Sequence, residues 1–201
     1  GDLPEAYPES HSAYSFQATP LKVDDSLYFC SPRNKVIVLD AETGRERWRF
    51  DPDIDTRGVH MLACRGVSYH HDVDTGTRCA KRILVATLDA RMLALDAQTG
   101  ELCPDFGESG EISLLEGLGE VKPGYYLVSS PPAIVGDVAI VGGFVLDNMS
   151  LDEPPGVVRA YDAKTGRQLW AWDAGRPDEA GTWQPDQAYT RNSPNAWSLF
   201  S

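Results

Sequence analysis

The residues of this chain that could bind a ligand or react are concentrated in one stretch. Between Asp51 and Arg78 stand His60, Cys64, Arg65, His70 and His71, interspersed with aspartates. A connection this long inside a compact domain reads as a functional loop. The sequence holds four cysteines, Cys30, Cys64, Cys79 and Cys103. No two form a Cys-x-x-Cys pair, and no histidine accompanies them at zinc-ligand spacing, so a structural zinc site is not expected. Cys30 sits in an apolar run with Leu27, Tyr28 and Phe29 and reads as a buried thiol. Cys64, Cys79 and Cys103 flank loops, and one disulfide among them is expected in an oxidising compartment. Spacing alone does not choose the pair.

The elements that must position these residues are announced by a phrase written three times. It reads Val38-Leu39-Asp40-Ala41-Glu42-Thr43-Gly44, followed by Trp48. It returns as Ala94-Leu95-Asp96-Ala97-Gln98-Thr99-Gly100, and as Ala160-Tyr161-Asp162-Ala163-Lys164-Thr165-Gly166 followed by Trp170. In each copy an apolar run ends in Asp-Ala, a polar pair leads to a Gly suited to positive φ, and a second strand follows. The Asp side chain can bond backbone groups that the turn leaves free. The repeat periods of 56 and 66 residues point to an array or a propeller.

The fold class read from this pattern is all-β, a β-propeller with short strands and tight turns in each blade. Strands are expected from Phe16 to Val23, Leu27 to Cys30, Val36 to Leu39 and Arg45 to Phe50, giving one blade over residues 16–50. A second blade over 82–106 is degenerate, because Pro104 stands where the others carry Trp, and its outer strand is expected to be short or bent. The segment from Phe106 to Tyr126 reads as irregular. A third blade covers 128–173, residues 174–190 read as loop, and 192–201 reads as the first strand of a fourth. Residues 1 to about 15 read as a lead-in loop. Three blades and part of another leave sheet faces uncovered, so the chain is expected to be part of a larger ring, completed by further blades or by another copy of the chain. Trp48 and Trp170 are read as structural residues that pack against neighbouring blades.

Bulk properties narrow the function. A formal net charge of −12 argues against nucleic-acid binding, which needs basic grooves. No run of about 18 apolar residues is present, as a membrane-spanning helix would need. The chain begins Gly1-Asp2-Leu3-Pro4 with no signal-peptide pattern, and reads as a mature or excerpted segment.

Several strings together carry a resemblance. They are the three Asp-Ala-x-Thr-Gly hairpins, Thr19-Pro20-Leu21-Lys22-Val23, Cys64-Arg65-Gly66-Val67-Ser68-Tyr69-His70, Ser129-Ser130-Pro131-Pro132 and Asn192-Ser193-Pro194-Asn195-Ala196-Trp197. They resemble the membrane-bound glucose, quinate and shikimate branch of the quinoprotein dehydrogenases, which use pyrroloquinoline quinone (PQQ). The resemblance covers residues from about 14 to 201, and the Cys-Arg-Gly-Val-Ser-Tyr-His string is its most specific part. It implies an eight-bladed parent, PQQ near the propeller axis, a Ca2+ or Mg2+ ion as Lewis acid, and oxidation of a sugar or cyclic polyol with electrons passed to ubiquinone. It also implies the periplasmic face of the bacterial inner membrane.

Residue by residue, the resemblance implies cofactor contacts at Gln17, Arg65, Ser129, Gly142, Gly143, Asn195 and Trp197. Arg65 would present fixed donors to the cofactor's oxygens, and Trp197 a flat platform for its ring. Gly142 and Gly143 would admit a flat ligand to the backbone. Gln17 stands where relatives place Glu, so it contributes an amide without charge. The resemblance places a metal ligand at Asp147 and a substrate-side residue at His60, while His70 and His71 read as loop residues. The resemblance places the family's catalytic Asp, a Lys near the quinone and a second metal-binding amide in later blades, with no counterpart within 1–201, so the isolated chain is expected to be inactive. A competing reading is a non-catalytic propeller scaffold of the outer-membrane assembly type, which repeats similar hairpins but has no use for the Cys64-Arg65 loop.

Overall fold

The computed structural model describes residues 13–73, 76, 78–179, 188–198 and 200. Most of the expected lead-in loop, and residues 180–187 of the expected loop at 174–190, lie outside the described residues. Sixteen strands follow in order: β1 Ala13–Phe16, β2 Leu21–Val23, β3 Ser26–Cys30, β4 Val36–Asp40, β5 Glu46–Phe50, β6 Met61–Cys64, β7 Ser68–His71, β8 Lys81–Ala86, β9 Arg91–Asp96, β10 Glu111–Ser113, β11 Tyr126–Leu127, β12 Ala133–Val135, β13 Val138–Val141, β14 Phe144–Val145, β15 Val158–Asp162 and β16 Gln168–Trp172. They form three four-stranded antiparallel sheets, β2-β3-β4-β5, β7-β8-β9-β10 and β12-β13-β15-β16. Two small pairs stand apart from these sheets, β1 with β6 in parallel and β11 with β14 antiparallel.

The repeated phrase builds the same turn each time. The Asp40 carboxylate accepts the Thr43 N–H at 2.8 Å, Asp96 accepts Thr99 at 3.0 Å, and Asp162 accepts Thr165 at 2.9 Å. The glycine N–H groups of Gly44, Gly100 and Gly166 close onto the same aspartates' carbonyls at 2.8–2.9 Å. All three glycines have φ between 70° and 74°, where an L side chain is strained. In the first and third sheets the outgoing strand carries a bulge, so that Trp48 pairs with Val38 and Trp170 with Ala160.

Two strands of the second sheet fall where loops were expected. Its first strand, β7, is the Ser68–His71 part of the supposed long insert, so His70 and His71 are strand residues. Its short, half-polar sequence hid it, since pairing with β8 rather than apolar alternation holds it in place. Its fourth strand is β10, within the segment read as irregular, whereas Leu102 makes only a single bridge to Leu95. Pro104 stops the chain from pairing immediately, and pairing resumes seven residues later, at Glu111. The single strand expected from Phe16 to Val23 is two, since β1 leaves the blade to pair with β6. Among its described residues the tail after Arg191 carries no strand, and its backbone packs instead against Gly142 and Gly156 at either end of the connector between β13 and β15. It is tied down by Ser193 Oγ, which accepts the Gly156 N–H at 3.0 Å.

The cysteines form two disulfides, Cys30–Cys64 and Cys79–Cys103. Cys30 is therefore not a thiol. The end of β3 and the end of β6 converge from 34 residues apart, a contact that no local pattern reveals.

Candidate functional site

Five segments meet at one end of the sheets around a cavity of about 220 Å3. Its polar lining is His60, Arg65 and Ser129, and its apolar lining includes Met61, Leu88, Leu127, Phe144, Leu146 and Trp197. Each segment arrives for a local reason. Leu127 and Phe144 face one another across the β11–β14 pair. Leu88 is held by Asn34, whose side-chain oxygen accepts the Leu88 N–H at 3.0 Å from the turn between β3 and β4. Asn34 adopts φ 59°, a conformation Asn tolerates better than most residues. His60 is carried by the loop after Gly58. A Cβ at Gly58 would lie 2.2 Å from the Pro123 carbonyl oxygen, and one at Gly124 would lie 2.1 Å from that of Gly58. Only two glycines let these loops touch backbone to backbone.

Arg65 is the centre of the polar side. It follows β6, and its own N–H donates to the Ser129 carbonyl at 2.8 Å while its carbonyl accepts the Thr19 N–H at 2.9 Å. Its guanidinium donates to Ser129 Oγ at 2.6 Å and lies 4.7 Å from the Trp197 ring centroid. Phe144 meets the same indole edge-on at 6.2 Å between centroids. Trp197 keeps 44% of its surface exposed, so the indole stays available to a ligand.

Of the residues expected at the site, His60, Arg65, Ser129 and Trp197 come together at this cavity. Gln17 is exposed, and its amide donates to Ser15 Oγ at 2.8 Å. Asn195 donates to the Val145 carbonyl at 3.3 Å and so fixes the tail. Gly142 and Gly143 are required for packing within the chain itself. A Cβ at Gly142 would lie 1.9 Å from the Ala196 carbonyl oxygen, and one at Gly143 2.2 Å from the Tyr126 ring. Asp147 is exposed and follows the lining residue Leu146, but does not itself line the cavity. His70 lies elsewhere, buried between the second and third sheets with Nε2 2.8 Å from the Asp137 carboxylate.

Sequence reasoning missed two features of the site. Ser130 is buried and donates to the Trp197 carbonyl at 2.7 Å, holding the tail over Arg65. Its only signal was adjacency to Ser129. The apolar wall had no signal, because Met61, Leu88, Leu127 and Phe144 look like ordinary core residues until the fold brings them to one opening.

The family described as "PQQ: Glucose/ethanol/alcohol dehydrogenase, beta-propeller domain" matches residues 1–201. The chain is 40% identical over 197 residues to a glycerol dehydrogenase large subunit of Gluconobacter oxydans, covering 96% of this chain and 26% of the relative. It is 34% identical over 203 residues to a quinate/shikimate dehydrogenase (quinone) of Acinetobacter baylyi, covering 92% and 25%. A crystal structure of quinohemoprotein alcohol dehydrogenase from Comamonas testosteroni superposes with a TM-score of 0.63 at 26% identity, over 82% of this chain and 22% of that one. The chain thus spans about a quarter of the length of the curated relatives it matches. The hairpins, the all-β sheets and these matches agree, and the chain belongs to the β-propeller family of PQQ-dependent quinoprotein dehydrogenases.

Proposed function

We propose that this chain supplies one wall of the cofactor site in a PQQ-dependent dehydrogenase that oxidises a sugar or polyol, with glucose, quinate, shikimate or glycerol as the substrate class. The observation that carries the reading is the Arg65 guanidinium held between Ser129 Oγ and the Trp197 ring at the rim of an apolar cavity. A planar tricarboxylate suits this donor set. Arg65 has further N–H donors for its oxygens, the indole offers a flat surface, and the apolar wall excludes water. PQQ, when bound, supplies the quinone that accepts two electrons from the substrate alcohol.

This chain's residues bind and orient. Arg65 and Ser129 hold anionic oxygens, and Trp197 fixes the plane of the ring. His60, exposed at the mouth of the cavity, faces the substrate side. Gln17 and Asn195 are proposed as further cofactor contacts, their amides donating within the chain to Ser15 Oγ of β1 and to the Val145 carbonyl. Asp147 is proposed as one ligand of a Ca2+ or Mg2+ ion. A single exposed carboxylate does not complete such a site, so the other ligands and the proton-abstracting carboxylate would come from outside these residues. Two disulfides support an extracytoplasmic location, for which the periplasmic face of the inner membrane is proposed, with ubiquinone as acceptor. The isolated chain, holding part of the pocket, is expected to be inactive.

The test is turnover by the complete gene product carrying this chain, with glucose, quinate, shikimate and glycerol, a soluble ubiquinone analogue, and PQQ added or withheld. Oxidation of one of these alcohols that depends on PQQ is the expected result. Oxidation unaffected by removing PQQ, or none with any of the four, would overturn the reading.

A further inference from the structure

We infer that the Cys30–Cys64 disulfide is a positioning device for Arg65, whereas Cys79–Cys103 serves only to hold its blade together; this rests on the reading of Arg65 as a cofactor contact. Cys64 is the last residue of β6 and immediately precedes Arg65. β6 belongs to none of the three blades. Among the described residues its only strand partner is β1, through four parallel register pairs. An isolated two-stranded ribbon is marginal in water, and parallel pairing is the weaker kind. Something else must fix where β6 ends, because that end aims the arginine.

Three tethers meet there, two from the first blade and one from the segment before the third. The Arg65 carbonyl accepts from Thr19 at the start of the first blade, and its N–H donates to Ser129 before the third. The third tether is covalent, from Cys64 to Cys30 at the end of β3 in the first blade. Both cysteines are buried among Tyr28, Val36, Val67 and Ile83, so the link joins the ribbon to the packed core between two blades. Gly66 follows at φ 153°, where a Cβ would lie 3.3 Å from the Thr19 carbonyl oxygen, so glycine lets the chain pass close to the first blade just after the arginine. The guanidinium is thereby placed over Trp197 and against Ser129 before any ligand arrives, and such preorganisation raises affinity without adding a contact. The second disulfide has no such neighbour. It joins Cys79, two residues before β8, to the segment after the second hairpin, within one blade.

The experiment compares Cys30→Ala/Cys64→Ala with Cys79→Ala/Cys103→Ala in the complete gene product, each with and without Arg65→Ala. Cys30→Val/Cys64→Ala serves as a volume-restoring version of the first pair. Two readouts are taken, PQQ affinity and the ligand-free emission of Trp197, the latter as a difference from Trp197→Phe. Loss of the first disulfide is expected to weaken PQQ binding about tenfold or more and to shift Trp197 emission. Both effects should vanish in the Arg65→Ala background, because coupled residues are not additive. Loss of the second should leave both readouts unchanged and lower only the melting temperature. Equal effects from the two pairs, or an effect of the first that persists without Arg65, would overturn the inference. Dithiothreitol titration of the folded native protein, with thiols counted by mass spectrometry, gives the emission comparison should the alanine pair fail to fold. If the protein does not bind PQQ, the functional reading fails, while the Trp197 emission still decides whether the disulfide positions Arg65.

Discussion

The junction between the first and second blades and the junction between the second and third use one socket and two different plugs. In both, the socket is the hairpin glycine after Asp-Ala-x-Thr. At the first junction Trp48 fills it. A Cβ on Gly100 would lie 2.5 Å from the indole, and the indole N–H donates to the Ala97 carbonyl at 3.2 Å. Tyr28 donates to the same carbonyl at 3.0 Å. At the second junction there is no Trp. Phe106 and Ile112 approach Gly166 instead, and the main-chain N–H of Gly107 donates to the Thr165 carbonyl at 2.9 Å. The repeat thus keeps the receiving turn, while the inserted group varies in identity and in chain position.

The difference in burial ranks the ways to break these junctions. Phe106 is fully buried, so Phe106→Ala should cost the most, about 4 kcal/mol in urea unfolding, for lost transfer energy plus an unfilled cavity. Removing Cys79–Cys103, which closes the same blade, should cost about 3 kcal/mol by restoring freedom to the unfolded chain. Trp48 is only half-buried, and Trp48→Ala should cost about 2 kcal/mol, less than a core Trp. An equal or larger loss at Trp48 than at Phe106 would show that the sockets are equivalent after all.

The smallest effect concerns acid. Burial raises the Asp96 pKa, but N–H donation from Cys79, Thr99 and Gln98 outweighs it and holds the carboxyl below its ordinary value. A depressed folded value means that stability is present above the unfolded pKa of about 4 and is lost as pH falls through the folded one. Asp96→Asn should therefore flatten the acid limb of the unfolding curve and cost about 1 kcal/mol at neutral pH. An unchanged acid limb would remove Asp96 from this role.

How much of this was legible in the sequence follows from where each signal lay. The three hairpins were legible because Asp, Thr and Gly act locally, within a few residues. The first and fourth strands of the second blade were not, since β7 is half polar and β10 is three residues long after a chain reversal. The disulfide between Cys30 and Cys64 was hidden for a similar reason, as it joins a blade strand to a ribbon that no periodicity announces. At the site, Arg65 and Ser129 stood out through the strings around them. The wall formed by Met61, Leu88, Leu127 and Phe144 did not, because apolar residues carry no label for the cavity they face. The glycine pair Gly142-Gly143 was noticed, but the close approach it permits is to Ala196 and Tyr126 of the chain itself.

The central claim is that Arg65, held against Ser129 and Trp197, grips the cofactor. Its most direct test is a PQQ titration of the complete gene product and of its Arg65→Ala variant, followed by quenching of tryptophan emission. Losing a charge-assisted contact of about 2 kcal/mol should weaken binding some thirtyfold. An Arg65→Ala protein that binds PQQ as tightly as the parent would contradict the account.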